Sequence, residues 1–224
     1  TFLSCSVLFN LPLVSDTGDS EITRGRLNKT EQDKKVSFQK LRTAAKNMKR
    51  RKLKLEELNR LSVEAYQEAA KIPLVVVLDN VRSQHNIGSV FRTSDAFRVT
   101  ESLLCGITAT PPNVEIHKTA LGAEDAVSWR YFEETQEALQ TLKKDGYTVF
   151  SIEQAENSIS LETITLEKEK KYAVIFGHEV HGVQQAIVDA ADGCIEIPQY
   201  GTKHSLNVSV TAGIVIWDFF RKLV

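Results

Sequence analysis

The 224-residue sequence lacks the long apolar segments of membrane proteins, and its first residues lack the pattern of a secretory signal. No stretch approaches the roughly 18 consecutive apolar residues of a transmembrane helix. The longest uncharged run, residues 1–15, has neither the basic start nor the small-residue cleavage site of a secretory signal. We therefore expect a cytoplasmic protein that does not act at a membrane.

Cysteine is scarce, and the usual nucleotide-binding patterns are missing. Cys5, Cys105 and Cys194 lie far apart and show none of the short spacings of zinc or redox sites, so we expect reduced thiols. No G-x-G-x-x-G follows the first candidate strand, which disfavours a Rossmann enzyme. Ser205 lies outside any G-x-S-x-G motif, which disfavours a serine hydrolase.

Acidic residues are absent from residues 34–54. This segment carries ten basic residues: Lys34, Lys35, Lys40, Arg42, Lys46, Lys49, Arg50, Arg51, Lys52 and Lys54. The net charge is +6 over residues 1–72 and −7 over residues 73–224. Because a solvated helix face normally mixes both signs, the segment favours a phosphate backbone as partner. The alternative is a solvated or disordered basic arm.

The chain changes in character at Pro73. Residues 1–33 show no clear periodicity and are either disordered or an uncertain start. Between residues 36 and 70, helix formers dominate without Gly or Pro, and Leu55, Leu58, Leu61 and Ala65 recur at intervals of three and four residues, which predicts helices. Pro73 ends this pattern because it has no amide hydrogen and disfavours a helical residue before it. We predict a basic helical extension at residues 34–72.

After Pro73, short apolar runs alternate with helical stretches. The candidate strands are residues 74–79, 101–105, 147–152, 172–176 and 194–197, and the candidate helices include residues 88–97, 133–144 and 183–191. Continuous apolar runs are typical of strands buried on both faces, so the pattern predicts an α/β fold with a parallel sheet and helices on both faces. Ligands of such sheets bind beyond the carboxyl ends of the strands, which makes the segments after the strands candidate sites.

The first of these segments contains Asn86, Gly88 and Arg92. Asn86 stands where it could cap a helix, and a helix N-terminus attracts phosphate. On that helix, Gly88 and Arg92 would share a face: Gly88 would permit close approach of a ligand, and Arg92 would pair with a phosphate. The alternative is a capped helix with a surface arginine.

The second segment is the GHEVHG sequence of residues 177–182, in which two glycines bracket Glu179. Such a tight loop could offer its backbone groups directly to a ligand. No Lys-Ser or Lys-Thr follows it, so it is not a phosphate-binding P-loop. His178 and His181 are three residues apart rather than the four of H-E-x-x-H, and we expect no metal.

The third segment follows the last candidate strand. Pro198 and Gly201 predict an irregular turn, after which Ser205 and Asn207 are suited either to capping a helix or to a polar site. The sequence beyond Ser205 is ambiguous, because it first alternates like a strand and then shows helical spacing.

In this order and spacing, the three segments resemble the signature motifs of the SpoU (TrmH-like) family of RNA 2'-O-ribose methyltransferases, a branch of the SPOUT superfamily. The matching patterns are Asn86-x-Gly88-x-x-x-Arg92, Gly177-x-Glu179-x-x-Gly182, and Ile197-Pro198 through Gly201 to Ser205-Leu206-Asn207-Val208-Ser209. The resemblance covers residues 73–224 and leaves residues 1–72 outside. It departs at Gln199, where the family often has Met.

The resemblance implies a methyltransferase domain at residues 73–224 with a deep C-terminal trefoil knot, a homodimer, and S-adenosylmethionine as cofactor. It also implies a helix over residues 206–220. The residues it implies for catalysis are Asn86, Arg92, Glu179, Ser205 and Asn207. Those it implies for cofactor binding are Gly177, Glu179, Gly182, Ile197, Pro198, Ser205 and Leu206. For RNA binding we expect Lys46, Lys49, Arg50, Arg51 and Lys52 of the basic extension, together with Arg92.

Ribose methylation would require a group such as Arg92 beside the reacting hydroxyl. A ribose hydroxyl is a weak acid, so its proton must be removed or its anion stabilised as the methyl group arrives. A guanidinium with a pKa above about 12 is an unusual base. We therefore interpret Arg92 as the group that holds the phosphate and stabilises the forming alkoxide, and the identity of the base stays open.

Two alternatives to ribose methylation remain at this stage. One is a knotted methyltransferase that acts on a base nitrogen, against which the Asn86 and Arg92 motif argues. The other is a non-catalytic RNA-binding or ribosome-assembly factor, against which the complete set of candidate catalytic residues argues. The extension is too short for a separate ribosomal-protein-like RNA domain, which favours tRNA over rRNA as substrate.

Overall fold

The computed structural model describes residues 34, 36, 37, 39, 40 and 51–224. By its internal contacts, the chain divides into two units, Thr1–Asn59 and Arg60–Val224. Residues 1–33, expected to be disordered or an uncertain start, lie outside the described residues. So do three of the candidate RNA contacts, Lys46, Lys49 and Arg50.

In the first unit, residues 34, 36, 37, 39 and 40 are helical, and a short 3-10 helix spans Leu55–Leu58. It ends at Asn59, whose φ of 46° is incompatible with a continuing helix. Arg51 donates two hydrogen bonds to Glu57, at 2.8 and 2.6 Å, and Lys52 is exposed.

The second unit begins with helix α1, Val63–Glu68, which is capped by Ser62 and packs Tyr66 into the core. Between residues 51 and 70, the apolar periodicity therefore corresponds to two short helices with a break between them. Asn59 and Ser62, a left-handed residue and a cap, account for the break between them. None of the helices among the described residues is long and apolar enough to cross a membrane.

The second unit is built on a seven-stranded sheet in which every paired strand is parallel. The strands are β1 Ile72–Asp79, β2 Val99–Cys105, β3 Trp129–Phe132, β4 Tyr147–Ile152, β5 Ile159–Ser160, β6 Lys171–Phe176 and β7 Gly193–Glu196. Their order across the sheet is β3-β2-β1-β6-β4-β7-β5. The five predicted strands are confirmed with small shifts at their ends, and the α/β class is confirmed.

Helices cover both faces of this sheet. They are α2 Gln84–Ala96, α3 Val114–Ala120, α4 Ala123–Ala126, α5 Thr135–Lys144, α6 Gln185–Ala190 and α7 Val208–Leu223. Leu74, Val76 and Leu78 of β1 face a core shared with α2, α3, α4 and α7. Val75 and Val77 face the opposite core, which α5 and α6 cover. The central strands are thus buried on both faces, as their continuous apolar runs predicted.

Two expectations for the first motif were wrong. Ser83, not Asn86, caps α2: its hydroxyl accepts a hydrogen bond from the Asn86 amide at 3.4 Å. Gly88 is buried, and a Cβ there would lie 2.2 Å from the carbonyl oxygen of Ile116. Gly88 therefore lets α2 and α3 pack closely and leaves no room for a ligand.

The structure shows that the ambiguous sequence after Ser205 forms a helix. Residues 206 and 207 precede α7, which begins at Val208, so the helix implied over residues 206–220 starts two residues later and extends to Leu223. Asn207 is its cap and accepts a hydrogen bond from the Ser209 amide at 2.9 Å. Ser205, the other candidate cap, lies outside the helix.

Candidate functional site

A cavity of about 500 Å³ lies beyond the carboxyl ends of β4, β6 and β7. Three segments line it: residues 152–154 at the end of β4, residues 176–182 at the end of β6, and residues 195–197, 199, 204–208 and 211 from the end of β7 to the first turn of α7. Two of these segments carry the second and third motifs. The position agrees with the rule that ligands of open parallel sheets bind at this edge.

The loop after β6 is closed tightly on itself. His178 and Gly182 exchange two backbone hydrogen bonds, at 3.0 and 2.8 Å. Gly182 has a φ of 68°, a conformation that favours glycine. A Cβ on Gly177 would lie 2.1 Å from the Val183 amide nitrogen, so the loop can close only with glycine there.

Glu179, between these glycines, is bound to the N-terminal end of α2. Its carboxylate accepts hydrogen bonds from the amides of Arg82 at 3.0 Å and Ser83 at 2.9 Å, and from the Asn86 side chain at 2.9 Å. Burial alone would raise the pKa of Glu179, but these hydrogen bonds outweigh it and lower the pKa below its usual value. The carboxylate is therefore ionised at neutral pH and joins the second motif to the first.

Asn207 joins the third motif to the other two. Its side-chain nitrogen donates to the Asn86 side-chain oxygen at 3.2 Å, while its side-chain oxygen caps α7. Asn86 is thus held between Glu179 and Asn207, which are 93 and 121 residues away in the sequence. The structure brings three of the five candidate catalytic residues into one hydrogen-bonded chain.

The remaining two candidates, Arg92 and Ser205, are free of such contacts. Arg92 is exposed in the middle of α2 and does not line the cavity. Ser205 is exposed and does line it. Within residues 51–224, the structure shows no hydrogen bond or ion pair to either side chain. Both are therefore available to a bound molecule.

The residues expected to hold a cofactor converge, with one exception. The structure places six of the seven in the wall of the cavity: Gly177, Glu179, Gly182, Ile197, Ser205 and Leu206. Pro198 is not among the lining residues. Among the described residues, no group of three or more His, Cys, Asp or Glu side chains could hold a metal ion.

Three further polar residues position these loops, and sequence reasoning missed them. Glu153 accepts a hydrogen bond from the Val183 amide at 3.1 Å, and Gln154 donates one to the His204 carbonyl at 2.7 Å. Fully buried Asp79, at the end of β1, accepts from the amide and side chain of Gln184, at 3.1 and 2.8 Å. All three end or directly follow a predicted strand, so the rule that identified the motifs would have found them too.

Comparison with known proteins identifies the family. The sequence profile described as the SpoU rRNA Methylase family matches residues 73–217. The tRNA (guanosine(18)-2'-O)-methyltransferase of Thermus thermophilus is 32% identical over 166 residues, which are 74% of this chain and 84% of that protein. The 23S rRNA (guanosine-2'-O-)-methyltransferase RlmB of Nitrosomonas europaea is 33% identical over 149 residues, covering 66% of this chain and 56% of that protein.

Solved structures agree with the sequence comparison. The TrmH/SpoU tRNA modifying enzyme of A. aeolicus superimposes with a TM-score of 0.64 at 26% identity, over 71% of this chain and 80% of that one. An AdoMet-bound rRNA methyltransferase from Sinorhizobium meliloti gives 0.63 at 25% identity, over 74% and 62% of the two chains. The profile match contains all three motifs, and its matched length is well over half of the sequence. The chain belongs to the SpoU rRNA methylase family.

Proposed function

We propose that the protein transfers a methyl group from S-adenosylmethionine to a ribose 2'-hydroxyl of tRNA or rRNA. The observation that carries this proposal is the chain Glu179–Asn86–Asn207, which unites three distant motifs beside a cavity at the ligand-binding edge of the sheet. The names of the Thermus and Nitrosomonas relatives, both 2'-O-methyltransferases acting on RNA, support the same reaction.

The cavity suits this cofactor in size and chemistry. Its volume of about 500 Å³ lies within the range of roughly 300–1,000 Å³ for small-molecule sites. Ile197 and Leu206 offer apolar surface, and the closed loop at Gly177 and Gly182 brings backbone polar groups to the wall. The carboxylate of Glu153 gives the wall a negative charge that favours a sulfonium cation. With Ser205 and the backbone near Pro198, these residues would hold the cofactor.

When bound, adenosylmethionine would supply an electrophilic methyl group: its C–S bond would break as a C–O bond forms at the ribose, S-adenosylhomocysteine would leave with the C–S electron pair, and the hydroxyl proton would pass to solvent. Arg92 holds the phosphate next to the target ribose and stabilises the negative charge that develops on the ribose 2'-oxygen. The exposed guanidinium, without a partner among residues 51–224, is available for both tasks.

The other motif residues orient these groups. Both carboxylate oxygens of Glu179 are engaged by the start of α2, so Glu179 acts by fixing that helix and its Arg92 relative to the cavity. Asn86 and Asn207 extend the same connection to α7. Ser205, exposed on the cavity wall, contacts the ribose or the cofactor directly.

RNA affinity comes from the basic extension at residues 34–72, and residues 73–224 form the catalytic domain. The division of charge supports this assignment, because the catalytic part is acidic overall. Lys46, Lys49, Arg50, Arg51 and Lys52 are the proposed contacts. Arg51 pairs with Glu57 on an exposed surface, where such a pair is weak enough to exchange for a phosphate.

The catalytic domain contains a deep trefoil knot near its C-terminus. Strand β7 lies beyond β4, whereas α7, the next element, packs with β1 and α2. Between them, the chain must therefore cross the carboxyl ends of β4 and β6, beside the loop of residues 177–182. Such a crossing supports the threaded path that the family resemblance implies.

A homodimer is the proposed assembly. Val210, Ile214 and Trp217 recur along one side of α7 and are 51%, 38% and 51% exposed. Trp217 also stacks on Phe220 and contacts Phe97 at a tilted angle, which widens the apolar surface. Exposed contiguous apolar surface marks a protein interface, and a second copy of the chain offers the same surface in return.

The test is transfer of a radiolabelled methyl group to total tRNA and rRNA, followed by nucleoside analysis. We expect the full chain to produce 2'-O-methylated nucleosides, and a variant without residues 1–54 to lose RNA binding while it still binds the cofactor. Label in a base-methylated nucleoside, or no transfer at all, would contradict the ribose assignment. A truncated variant with unchanged, equally salt-dependent RNA binding would contradict the role of the extension.

A further inference from the structure

The segment between β7 and α7 is held at few points. Residues 198–206 carry Ser205 and Leu206 into the cavity wall, yet residues 200–206 are exposed and Tyr200 is 92% exposed. Within the described part of the chain, a single hydrogen bond reaches residues 198–206. A segment with so few contacts needs a specific interaction to keep one position.

That hydrogen bond comes from Gln154. Its side-chain nitrogen donates to the carbonyl oxygen of His204 at 2.7 Å. His204 directly precedes Ser205, and both line the cavity together with Gln154. The bond therefore acts on the backbone next to the residue whose side chain is to meet the ribose or the cofactor.

Glu153, the neighbour of Gln154, holds the opposite wall. One oxygen of its carboxylate accepts from the Val183 amide at 3.1 Å, and the other accepts from the Gln154 amide at 2.9 Å. A Cβ on Gly182 would lie 2.1 Å from this carboxylate, which shows how closely the loop rests on it. One carboxylate thus fixes both the second-motif loop and the backbone of the residue that holds the third-motif loop.

We propose that Gln154 is a positioning residue for the cofactor site: through the His204 carbonyl it selects the conformation of residues 198–206 in which Ser205 and Leu206 complete the cavity. This inference rests on the proposed function, because it takes the methyl donor as the molecule bound there. A neutral hydrogen bond contributes about 0.5–1.5 kcal/mol, which corresponds to a change of about 2- to 13-fold in the ratio of competent to other conformations, and therefore to a decrease of at most that factor in the competent population. The apparent affinity for a ligand falls in the same proportion as that population.

The decisive variant is Gln154→Glu, which keeps the size of the side chain but removes the donor. Its matched control is Gln185→Glu, the same change at an exposed glutamine that bonds Asp189 within its own helix and lies outside the cavity. Three quantities are measured for each protein: the rate of tryptic cleavage after Lys203 without ligand, the Kd for S-adenosylhomocysteine, and the melting temperature.

We expect Gln154→Glu to increase both the cleavage rate after Lys203 and the Kd, with a product of the two fold-increases of about 2 to 13, at an unchanged melting temperature. Gln185→Glu should match the wild type in all three. A wild-type cleavage rate in Gln154→Glu would show that the Gln154 hydrogen bond does not hold residues 198–206. Faster cleavage with a wild-type Kd would show that the bond does not position the cofactor site. Failure of the proposed function is distinguishable, because then the wild type itself would not bind S-adenosylhomocysteine.

Discussion

The roles of single side chains in this site follow from their contacts more than from their residue type. Glu179 is an ionised carboxylate, but both its oxygens are engaged by the start of α2, so it organises the site and does not act as a free base. Arg92 has the opposite character, since it is exposed and meets no partner within residues 51–224. Glu179 thus fixes the positions of the motifs, whereas Arg92 is available to contact the substrate.

Replacing Arg92 tests its contact with the substrate. We expect Arg92→Ala to lower methyl transfer by at least ~100-fold, because a preorganised donor to a developing oxyanion contributes that much, and to leave cofactor binding intact. Initial rates with labelled cofactor and titration calorimetry measure the two effects. The control is Arg130→Ala, which removes an ion pair with Glu101 and a contact with the Phe132 ring at the edge of the sheet, away from the cavity. Near-normal turnover in Arg92→Ala would remove Arg92 from the mechanism.

Replacing Glu179 tests whether its carboxylate charge holds the loop of residues 177–182 to α2, because that stabilisation depends on pH. Its pKa is lowered in the folded protein, so its stabilisation is complete above the unfolded pKa of about 4.3 and is lost as the pH falls through the folded pKa. We expect Glu179→Gln to lower the free energy of unfolding by about 1–3 kcal/mol at pH 7. In urea titrations, the difference from wild type should shrink below about pH 4.

Exposed Glu169 provides the control for this measurement, as Glu169→Gln should follow the wild type at every pH. A difference between Glu179→Gln and wild type that stays constant from pH 7 downwards would show that the carboxylate charge is not what holds the loop to α2.

Among the strands, the sequence predicts those that are buried on both faces of the sheet and misses those that are not. Apolar runs identify the five strands that lie inside the sheet, which are β1, β2, β4, β6 and β7. Edge strand β3 escapes because it contains Arg130 and has only partly buried or exposed residues, and β5 is only two residues long. Periodicity reports burial, so short or exposed elements leave too weak a pattern.

Gly88 shows how a glycine in a functional motif can act in packing. We expect Gly88→Ala to lower the free energy of unfolding by about 1–3 kcal/mol, because the new methyl group meets backbone of α3 and the two helices must separate. Ser89→Ala, one residue along the same helix, should stay within about 0.5 kcal/mol of wild type. Urea unfolding measures both. Equal stability of Gly88→Ala and Ser89→Ala would refute close helix packing as the reason for this glycine.

For the whole molecule, the site was predictable only through a resemblance. The sequence alone offered three separate candidate segments, but it could not show that Asn86 bonds both Glu179 and Asn207, because those contacts span 93 and 121 residues. Glu153 and Gln154 carry no motif; their position after a predicted strand marks them as candidates, but only the structure shows which loops they hold. Long-range contacts depend on the sheet order, which local patterns do not encode.

The assembly is tested at the exposed side of α7. We expect the wild type to sediment as a dimer and Trp217→Lys as a monomer, because a charge in the centre of the apolar surface opposes its burial. Val114→Lys, at a 73% exposed position of α3, should remain a dimer. Circular dichroism checks that both variants are folded. A folded Trp217→Lys that is still dimeric would place the interface elsewhere.

The central claim is that the loops after β4, β6 and β7 form a site for the methyl donor. Titration calorimetry of the full chain with S-adenosylmethionine and S-adenosylhomocysteine tests it most directly. The expected result is saturable binding of either compound, with one molecule bound per chain. If neither compound bound at any concentration tested, the cavity would not be a methyl-donor site and the proposed reaction would have to be abandoned.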